Sequence, residues 1–200
     1  LLVHLRYLAL KGVAYIPSAI ANLSRLETLI VDDPVFGIEL PSTIWNIKTL
    51  SHLRALNYHG VWPMGFIFPV ENLEVSPDLD CLDTLDLAID PSSQSLQTIL
   101  KKLPSIRRLK LKCRGFYSLK AATRNCDKIL VFDCLNQLQS LRLTALDGYG
   151  FKFPLNLKKL TLKWNRQPWS EISTIGKLPN LEVLKLLKES FVGEEWVMEE

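Results

Sequence analysis

The stretch Leu157-Lys158-Lys159-Leu160-Thr161-Leu162 has the spacing L-x-x-L-x-L, and this spacing recurs along the chain. Eight copies are found, at Leu5-Leu8-Leu10, Leu26-Leu29-Val31, Leu50-Leu53-Ala55, Leu82-Leu85-Leu87, Ile106-Leu109-Leu111, Leu138-Leu141-Leu143, Leu157-Leu160-Leu162 and Leu181-Leu184-Leu186. The middle positions of successive copies are 21, 24, 32, 24, 32, 19 and 24 residues apart. Self-similarity at such a period indicates a repeat architecture, in which the two longest steps contain insertions.

The spacing has a physical reason in the geometry of a β-strand. Alternate side chains point to opposite faces, so the last two apolar residues of each copy point inward together. The first apolar residue enters from the preceding turn. One copy cannot bury this face alone, whereas stacked copies build a continuous core. The pattern therefore predicts an α/β fold, a leucine-rich-repeat solenoid curved like a horseshoe, with a concave parallel sheet and about eight irregular repeats.

The segments between the copies predict short helices or 3₁₀ turns and loops on the convex side. Ile16-Pro17-Ser18 and Leu40-Pro41-Ser42 open the same phrase 24 residues apart, and apolar residues at helical spacing follow each of them. Irregular insertions occupy residues 57–81 and 113–137. Such insertions either pack onto the solenoid or contribute to binding, and the sequence leaves both roles open.

Length and composition predict one leucine-rich-repeat domain over residues 1–200. The chain is 48% hydrophobic and its net charge is +3, which is unlike a dedicated nucleic-acid-binding protein. No apolar run is long enough for a transmembrane segment. The chain starts and stops within repeats, without the polar caps that keep a solenoid from associating. We therefore expect a fragment of a longer protein that lacks both end caps.

The sequence contains no pattern that predicts catalysis. His4, His52 and His59 form no cluster with ligand spacing, so no metal site is expected. The four cysteines form no C-x-x-C pair and are expected to be reduced thiols. No grouping of nucleophile and base, and no phosphate-binding G-x-x-x-x-G-K-S/T loop, is found. We expect no catalytic residue, no enzyme activity and no cofactor bound by this chain.

The remaining candidate is the open face of the sheet, which we define as the outward-facing strand positions. In the first four copies this face carries two basic and two acidic charges besides His52. In the last four copies it carries seven basic charges and no acidic one, namely Arg108, Lys110, Lys112, Arg142, Lys159, Lys163 and Lys185. A run of one sign on a concave surface favours an acidic protein partner, so these seven residues are the candidate partner-binding site. Two alternatives are that the charges only keep the sheet hydrated, or that they bind nucleic acid, which the scarcity of aromatic side chains disfavours.

Several longer phrases resemble one group of plant proteins. They are Leu2-Val3-His4-Leu5-Arg6-Tyr7-Leu8-Ala9-Leu10, Leu40-Pro41-Ser42-Thr43-Ile44-Trp45, Ile175-Gly176-Lys177-Leu178-Pro179-Asn180-Leu181-Glu182-Val183-Leu184-Lys185-Leu186 and Phe191-Val192-Gly193-Glu194-Glu195-Trp196. The chain resembles the leucine-rich region of plant intracellular disease-resistance proteins of the coiled-coil, nucleotide-binding type, in the late blight resistance class of the nightshade family. Extracellular plant repeats differ, because they carry a regular asparagine after the strand and an L-x-G-x-I-P phrase that this chain lacks.

The resemblance implies a receptor with a cytoplasmic location, with peripheral membrane association left open. In such proteins the repeat region senses a pathogen effector, directly or through a guarded host protein. It also restrains the nucleotide-binding domain of the same polypeptide in the ADP-bound state. The ADP/ATP site would lie upstream, so no nucleotide-binding residue is assigned to this chain. The resemblance does not name the pathogen or the effector, and it does not fix the oligomeric state.

One alternative to the receptor stays open. A stand-alone leucine-rich-repeat adaptor, such as a substrate-selecting subunit of a ubiquitin ligase, would carry an F-box segment before the repeats. The sequence also leaves open whether the basic half of the open face captures a ligand or holds the receptor in its resting state.

Overall fold

The computed structural model describes residues 2–13, 15–32, 39–56, 69, 73–89, 95–113 and 129–193. The strands of this part of the chain are β1 (Tyr7–Lys11), β2 (Thr28–Asp32), β3 (His52–Leu56), β4 (Thr84–Ile89), β5 (Arg108–Cys113), β6 (Ile129–Val131), β7 (Ser140–Thr144), β8 (Gly150–Lys152), β9 (Lys159–Lys163), β10 (Gln167–Pro168), β11 (Val183–Leu187) and β12 (Phe191–Val192). Eight of them form one sheet in the order β1-β2-β3-β4-β5-β7-β9-β11. This order gives one strand for each L-x-x-L-x-L copy, and the predicted α/β leucine-rich-repeat solenoid is confirmed.

All neighbouring strands of this sheet are parallel and in register. Leu8 pairs with Leu29, Leu85 pairs with Leu109, and the middle leucine of every other copy is aligned in the same way. A shift of one residue in any strand would turn its apolar side chains to the open face, so burial of one face specifies the register. Equivalent positions of the copies therefore lie side by side.

The core lies directly beneath the sheet and runs its length. The middle leucines of the second to seventh copies are at most 1% exposed, and the first apolar residue of each of those copies is fully buried. Burial of one such side chain contributes roughly 1.5–3 kcal/mol relative to exposure. The middle leucine of the last copy, Leu184, is 39% exposed because no following strand covers it in the described structure.

Short helical segments return the chain on the opposite side of the sheet, as predicted. Among the described residues, three of them are 3₁₀ helices, at Ser18–Asn22, Ser42–Asn46 and Trp169–Glu171, and two are α-helices, α1 (Ser95–Lys101) and α2 (Ile172–Gly176). A proline precedes each 3₁₀ helix in extended backbone, where its fixed φ starts the turn and its missing N–H costs nothing. No helix in the described residues is long and apolar enough to cross a membrane.

Two small parallel sheets, which the sequence did not predict, lie beyond the main strands. β6 pairs with β8, and β10 pairs with β12. They form because stacked repeats also align the backbone that leaves each main strand. Ring contacts support them, including Trp169 stacked on Phe191 with centroids 4.8 Å apart.

Buried polar side chains hold the strand exits of the last repeats together. Asn165 is fully buried, and its Oδ1 accepts the backbone N–H of Leu146 at 3.0 Å. Ser190 is 4% exposed, and its hydroxyl donates to the carbonyl oxygen of Leu162 at 2.7 Å. Each side chain supplies a backbone group of the preceding repeat with the partner that a buried polar group requires.

The insertion at residues 57–81 is described only in part, and the insertion at residues 113–137 likewise. Residues 57–68, 70–72 and 114–128 lie outside the described residues. The described end of the first insertion packs onto the solenoid through Leu73 and Leu79, which are buried. Lys102 holds this segment, since its Nζ lies 2.7 Å from the carbonyl oxygen of Ser76 and 3.2 Å from a carboxylate oxygen of Asp78.

Candidate functional site

The seven cations predicted from the sequence all lie at outward-facing positions of β5, β7, β9 and β11. The strand register sets Lys110 beside Arg142, and Lys185 beside Thr161. Lys112 and Lys163 flank Thr144 from the two neighbouring strands. The parallel sheet therefore brings together charges that are far apart in the sequence.

Burial divides these cations into two groups. Lys110, Lys112, Arg142 and Lys163 are half-buried, whereas Arg108, Lys159 and Lys185 are exposed. Half-buried cations are less hydrated, and the interactions between them are less screened by solvent. We define the basic patch as the four half-buried residues together with Arg54, the half-buried cation at the middle outward position of β3.

One acidic side chain lies within the basic patch. Asp86, at the middle outward position of β4, is 5% exposed. Its Oδ1 lies 3.1 Å from Nζ of Lys112, and its Oδ2 lies 4.0 Å from Nζ of Lys110. The Lys112 contact is ionic rather than a well-directed hydrogen bond. Asp86 therefore offsets part of the positive charge of Lys110 and Lys112.

The electrostatics of Lys110 show how closely the cations are gathered. Burial lowers the pKa of the Lys110 ammonium below its ordinary value, because a desolvated charge is disfavoured. Asp86 acts in the opposite direction, while the positive charges of Arg54, Lys112 and Arg142 lower the pKa further. Three cations thus act on a fourth, and Arg54 belongs to the same charged surface although the sequence analysis left it out of the site.

Lys163 extends the positive potential towards the last repeat. Burial lowers the pKa of its ammonium, and the charges of Arg142, Lys188 and Lys112 lower it further. Lys188 lies just beyond the end of β11, outside the strand pattern, so a search of strand positions could not find it. Its involvement depends on how the exit turn is placed in the tertiary structure.

An indole side chain lies between the two lysines at this end. Nζ of Lys163 is 3.9 Å from the centroid of the Trp164 ring, and Nζ of Lys188 is 5.4 Å from it. Both distances fall within the range of cation–π attraction. Trp164 follows β9 with a φ of 55°, a left-handed conformation that ends the strand. Trp164 lies outside the L-x-x-L-x-L pattern, so no repeat position points to it.

Two buried threonines lie between the cations on the open face. Thr144 and Thr161 occupy outward-facing positions of β7 and β9, yet they are 9% and 6% exposed. Their neighbours across the sheet are Lys112 and Lys163 for Thr144, and Arg142 and Lys185 for Thr161. Because these neighbours are much longer, the short threonines lie below the charged ends of the side chains beside them. We call this lower part of the open face, above Thr144 and Thr161, the depression.

The strand-entry edge of the sheet has a different, balanced electrostatic character. Arg6 and Glu27, on adjacent repeats, form a bidentate pair with N–O distances of 2.7 Å and 2.8 Å. Nη2 of Arg108 lies 3.5 Å from Oδ2 of Asp83. Arg108 is thus partly neutralised at this edge, which separates it from the basic patch. Such exposed pairs contribute little to stability because solvent screens them, so their main effect is on charge balance.

The described residues contain no group of three or more His, Cys, Asp and Glu side chains that could hold a metal ion. The geometry of the open face suits contact with a macromolecular surface, because it presents an ordered array of polar and charged side chains on a stiff sheet. The concentrated charge would favour an acidic surface over a basic one.

Comparison with known proteins agrees with the repeat pattern. The family model described as "Leucine-rich repeat region" matches residues 1–154. A late blight resistance protein homologue of Solanum demissum is 33% identical over 211 residues, which covers 96% of this chain and 15% of that protein. A second homologue from the same species is 34% identical over 209 residues, with the same coverage of both chains. A late blight resistance protein of that species is 27% identical over 175 residues, covering 86% of this chain and 11% of that protein.

Among solved structures, the leucine-rich-repeat ectodomain of the plant membrane receptor kinase GASSHO1/SCHENGEN3 from Arabidopsis thaliana matches with a TM-score of 0.40 and 18% identity. That match covers 95% of this chain and 28% of the other. A likeness at this level supports no statement about a ligand.

The matches bear out the resemblance to the late blight resistance class that the longer sequence phrases indicate. The chain spans 15% or less of the length of the three curated relatives described above. On the family match over residues 1–154, this chain belongs to the leucine-rich repeat region family.

Proposed function

We propose that this chain is the protein-recognition module of an intracellular plant immune receptor. In this proposal it senses a pathogen effector, directly or through a guarded host protein, and restrains a nucleotide-binding domain of the same polypeptide. The chain itself performs no catalysis and binds no cofactor, while ADP or ATP binds the upstream domain. The observation that carries the proposal is the basic patch, which lies on the open face of a fold whose relatives are resistance proteins.

The physical basis is complementarity of charge on a stiff surface. Strands of a sheet lie about 4.8 Å apart, so the outward side chains form a regular grid that an acidic surface can match. Half-buried cations are already partly desolvated, and a partner therefore displaces less water from them than from freely exposed lysines. The exposed Arg108, Lys159 and Lys185 extend this surface and would steer an acidic partner towards it.

The first experiment is to read the transcript upstream of Leu1. A G-x-x-x-x-G-K-S/T segment between a strand and a helix is the expected result, because such a loop binds nucleotide phosphates. An F-box segment would instead identify a ubiquitin-ligase adaptor and would overturn the immune-receptor proposal.

The second experiment tests the open face directly. The chain is mixed with the nucleotide-binding domain encoded upstream, and the dissociation constant is measured by titration. Reversal of Lys110, Arg142 and Lys159 to Glu is expected to weaken this association about a thousandfold or more, since each of the three lost charge pairs is worth roughly 1.5 kcal/mol or more.

The matched control reverses Arg25, Lys48 and Lys177 to Glu. These residues are exposed and lie in turns away from the open face, and their reversal changes the net charge by the same amount. The control is expected to retain nearly the wild-type dissociation constant. Equal weakening by the two triple variants would mean that only net charge matters, and it would remove the open face from the proposal.

A further inference from the structure

The basic patch already contains an example of how it holds an anion. Two lysines of the next strand lie close to the Asp86 carboxylate. Nζ of Lys112 is 3.1 Å from Oδ1, and Nζ of Lys110 is 4.0 Å from Oδ2. Lys110 occupies the middle outward position of β5, and Lys112 occupies the outward position nearer the end of the strand. A carboxylate of the chain itself therefore neutralises the cations at the β4–β5 end.

Among the described residues, the cations further along the patch have no such counter-charge. In the part of the chain that the structure describes, Arg142 and Lys163 pair with no carboxylate. They stand on adjacent strands, on either side of the depression that Thr144 and Thr161 floor. Lys112 borders the same depression from β5. The lowered pKa of Lys163, to which Arg142 and Lys112 contribute after burial, reflects this uncompensated charge.

From this geometry we propose that the depression above Thr144 and Thr161 is an oxyanion-binding subsite, rimmed by Lys112, Arg142 and Lys163, and that it receives a phosphate group carried by a side chain of the partner protein. The proposal deepens the function proposed above and rests on it, because it names the chemistry of the partner group that the open face selects.

A phosphate matches the subsite better than a carboxylate for two reasons. A phosphorylated side chain carries about −1.5 to −2 charges at neutral pH, whereas a carboxylate carries one. Two cations that pair with no carboxylate of the described residues, and a third shared with Asp86, therefore suit a dianion. A phosphate also has three acceptor oxygens, which can contact the guanidinium of Arg142, the ammonium of Lys163 and a threonine hydroxyl at the same time.

The test is an NMR titration of the chain at constant ionic strength with three probes. They are inorganic phosphate, a short alanine-glycine peptide with a central phosphoserine, and the same peptide with aspartate in place of the phosphoserine. We expect the phosphopeptide to shift the backbone amide signals of Thr144 and Thr161 most strongly. We also expect it to bind at least about tenfold more tightly than the aspartate peptide, since the second charge adds a charge-assisted contact.

Variants locate the binding. Arg142→Met and Lys163→Met keep most of the aliphatic stem and remove the charge, and each is expected to weaken phosphopeptide binding about tenfold. Lys48→Met and Lys177→Met remove exposed charges away from the open face, and each is expected to leave phosphopeptide binding unchanged. Circular dichroism checks that each variant is folded before the titration. If Arg142→Met is not folded, the conservative variant Arg142→Lys is titrated in its place.

Several results would overturn the inference. Equal binding of the phosphoserine and aspartate peptides would remove the preference for phosphate. Inorganic phosphate that binds as tightly as the phosphopeptide would assign the subsite to a free ion rather than to a protein partner. Backbone amide shifts centred on other residues would show that the phosphate group does not bind above Thr144 and Thr161. These titrations use the chain alone, so their failure is distinct from failure of the association with the nucleotide-binding domain.

Discussion

The Nζ of Lys112 lies 3.1 Å from Oδ1 of Asp86, a diagonal contact between neighbouring strands of the open face. The contact joins Asp86, one of the two acidic outward residues of the first four repeats, to the basic half of the sheet. It buries the Asp86 side chain to 7% exposure and leaves Lys112 at 23%. The two halves of the open face, which differ in charge along the sequence, are therefore coupled in the folded structure.

Removal of this counter-ion should destabilise the chain. We expect Asp86→Asn to lower the free energy of unfolding by about 1–2 kcal/mol, less than for a fully buried pair because Lys110 and Lys112 reach solvent. Urea denaturation at neutral pH measures the loss. Asp78→Asn is the control, since Asp78 pairs with Lys102 but is 47% exposed, and it should cost no more than about 1 kcal/mol. Equal losses would show that burial of the Asp86 pair is unimportant.

The lowered pKa of Lys110 predicts a rise of stability at alkaline pH. The folded chain releases the Lys110 proton at a lower pH than the unfolded chain does, so between the two pKa values the unfolded state binds more protons. The contribution of this group to the free energy of unfolding therefore increases as pH rises from the folded pKa to the unfolded value of about 10.4.

The measurement is the urea midpoint as a function of alkaline pH, in wild type and in Lys110→Met. As pH increases through this window, the urea midpoint of wild type should rise relative to that of Lys110→Met, because the variant lacks the titrating group. Lys48→Met controls for loss of one exposed lysine away from the open face. A constant difference between wild type and Lys110→Met would contradict the expected coupling.

Core leucines at equivalent positions should differ in importance according to their place in the stack. Leu141 is fully buried, and we expect Leu141→Ala to cost about 2–5 kcal/mol because it leaves a cavity between two repeats. Leu184 occupies the same repeat position but is 39% exposed, so Leu184→Ala should cost clearly less. Thermal or urea unfolding of both variants tests this, and a larger loss for Leu184 would be inconsistent with the described packing.

The buried amide of Asn165 should matter more than an exposed one that also bridges two repeats. Asn165→Leu leaves the N–H of Leu146 without its acceptor at 3.0 Å, and the expected cost is about 1–3 kcal/mol. Asn156→Leu is the matched control, because its Nδ2 donates to the carbonyl oxygen of Asn136 at the exposed surface, where water can replace it. Urea denaturation should rank Asn165→Leu as the more damaging change. Similar costs would argue against the structural role of the buried amide.

Among the site residues, the sequence pattern placed the seven cations on the correct face but could not rank them. Lys110, Lys112, Arg142 and Lys163 are half-buried, while Arg108 pairs with Asp83 at the strand-entry edge. Arg54 and Lys188 were missed because their role depends on neighbours from other repeats, and Trp164 was missed because it lies beyond the strand pattern. The selection of these residues for partner binding stays a prediction.

Sequence alone indicated the register of the sheet, because each L-x-x-L-x-L copy marks equivalent positions, and a slip of one residue would turn its apolar side chains to the open face. Tertiary structure decided the depth and the electrostatics of each outward position. Thr144 and Thr161 face outward by alternation yet are buried, because longer side chains of adjacent strands rise beside them. Depth and pKa depend on residues about 20 to 30 positions away in sequence, which become neighbours only when repeats of unequal length stack.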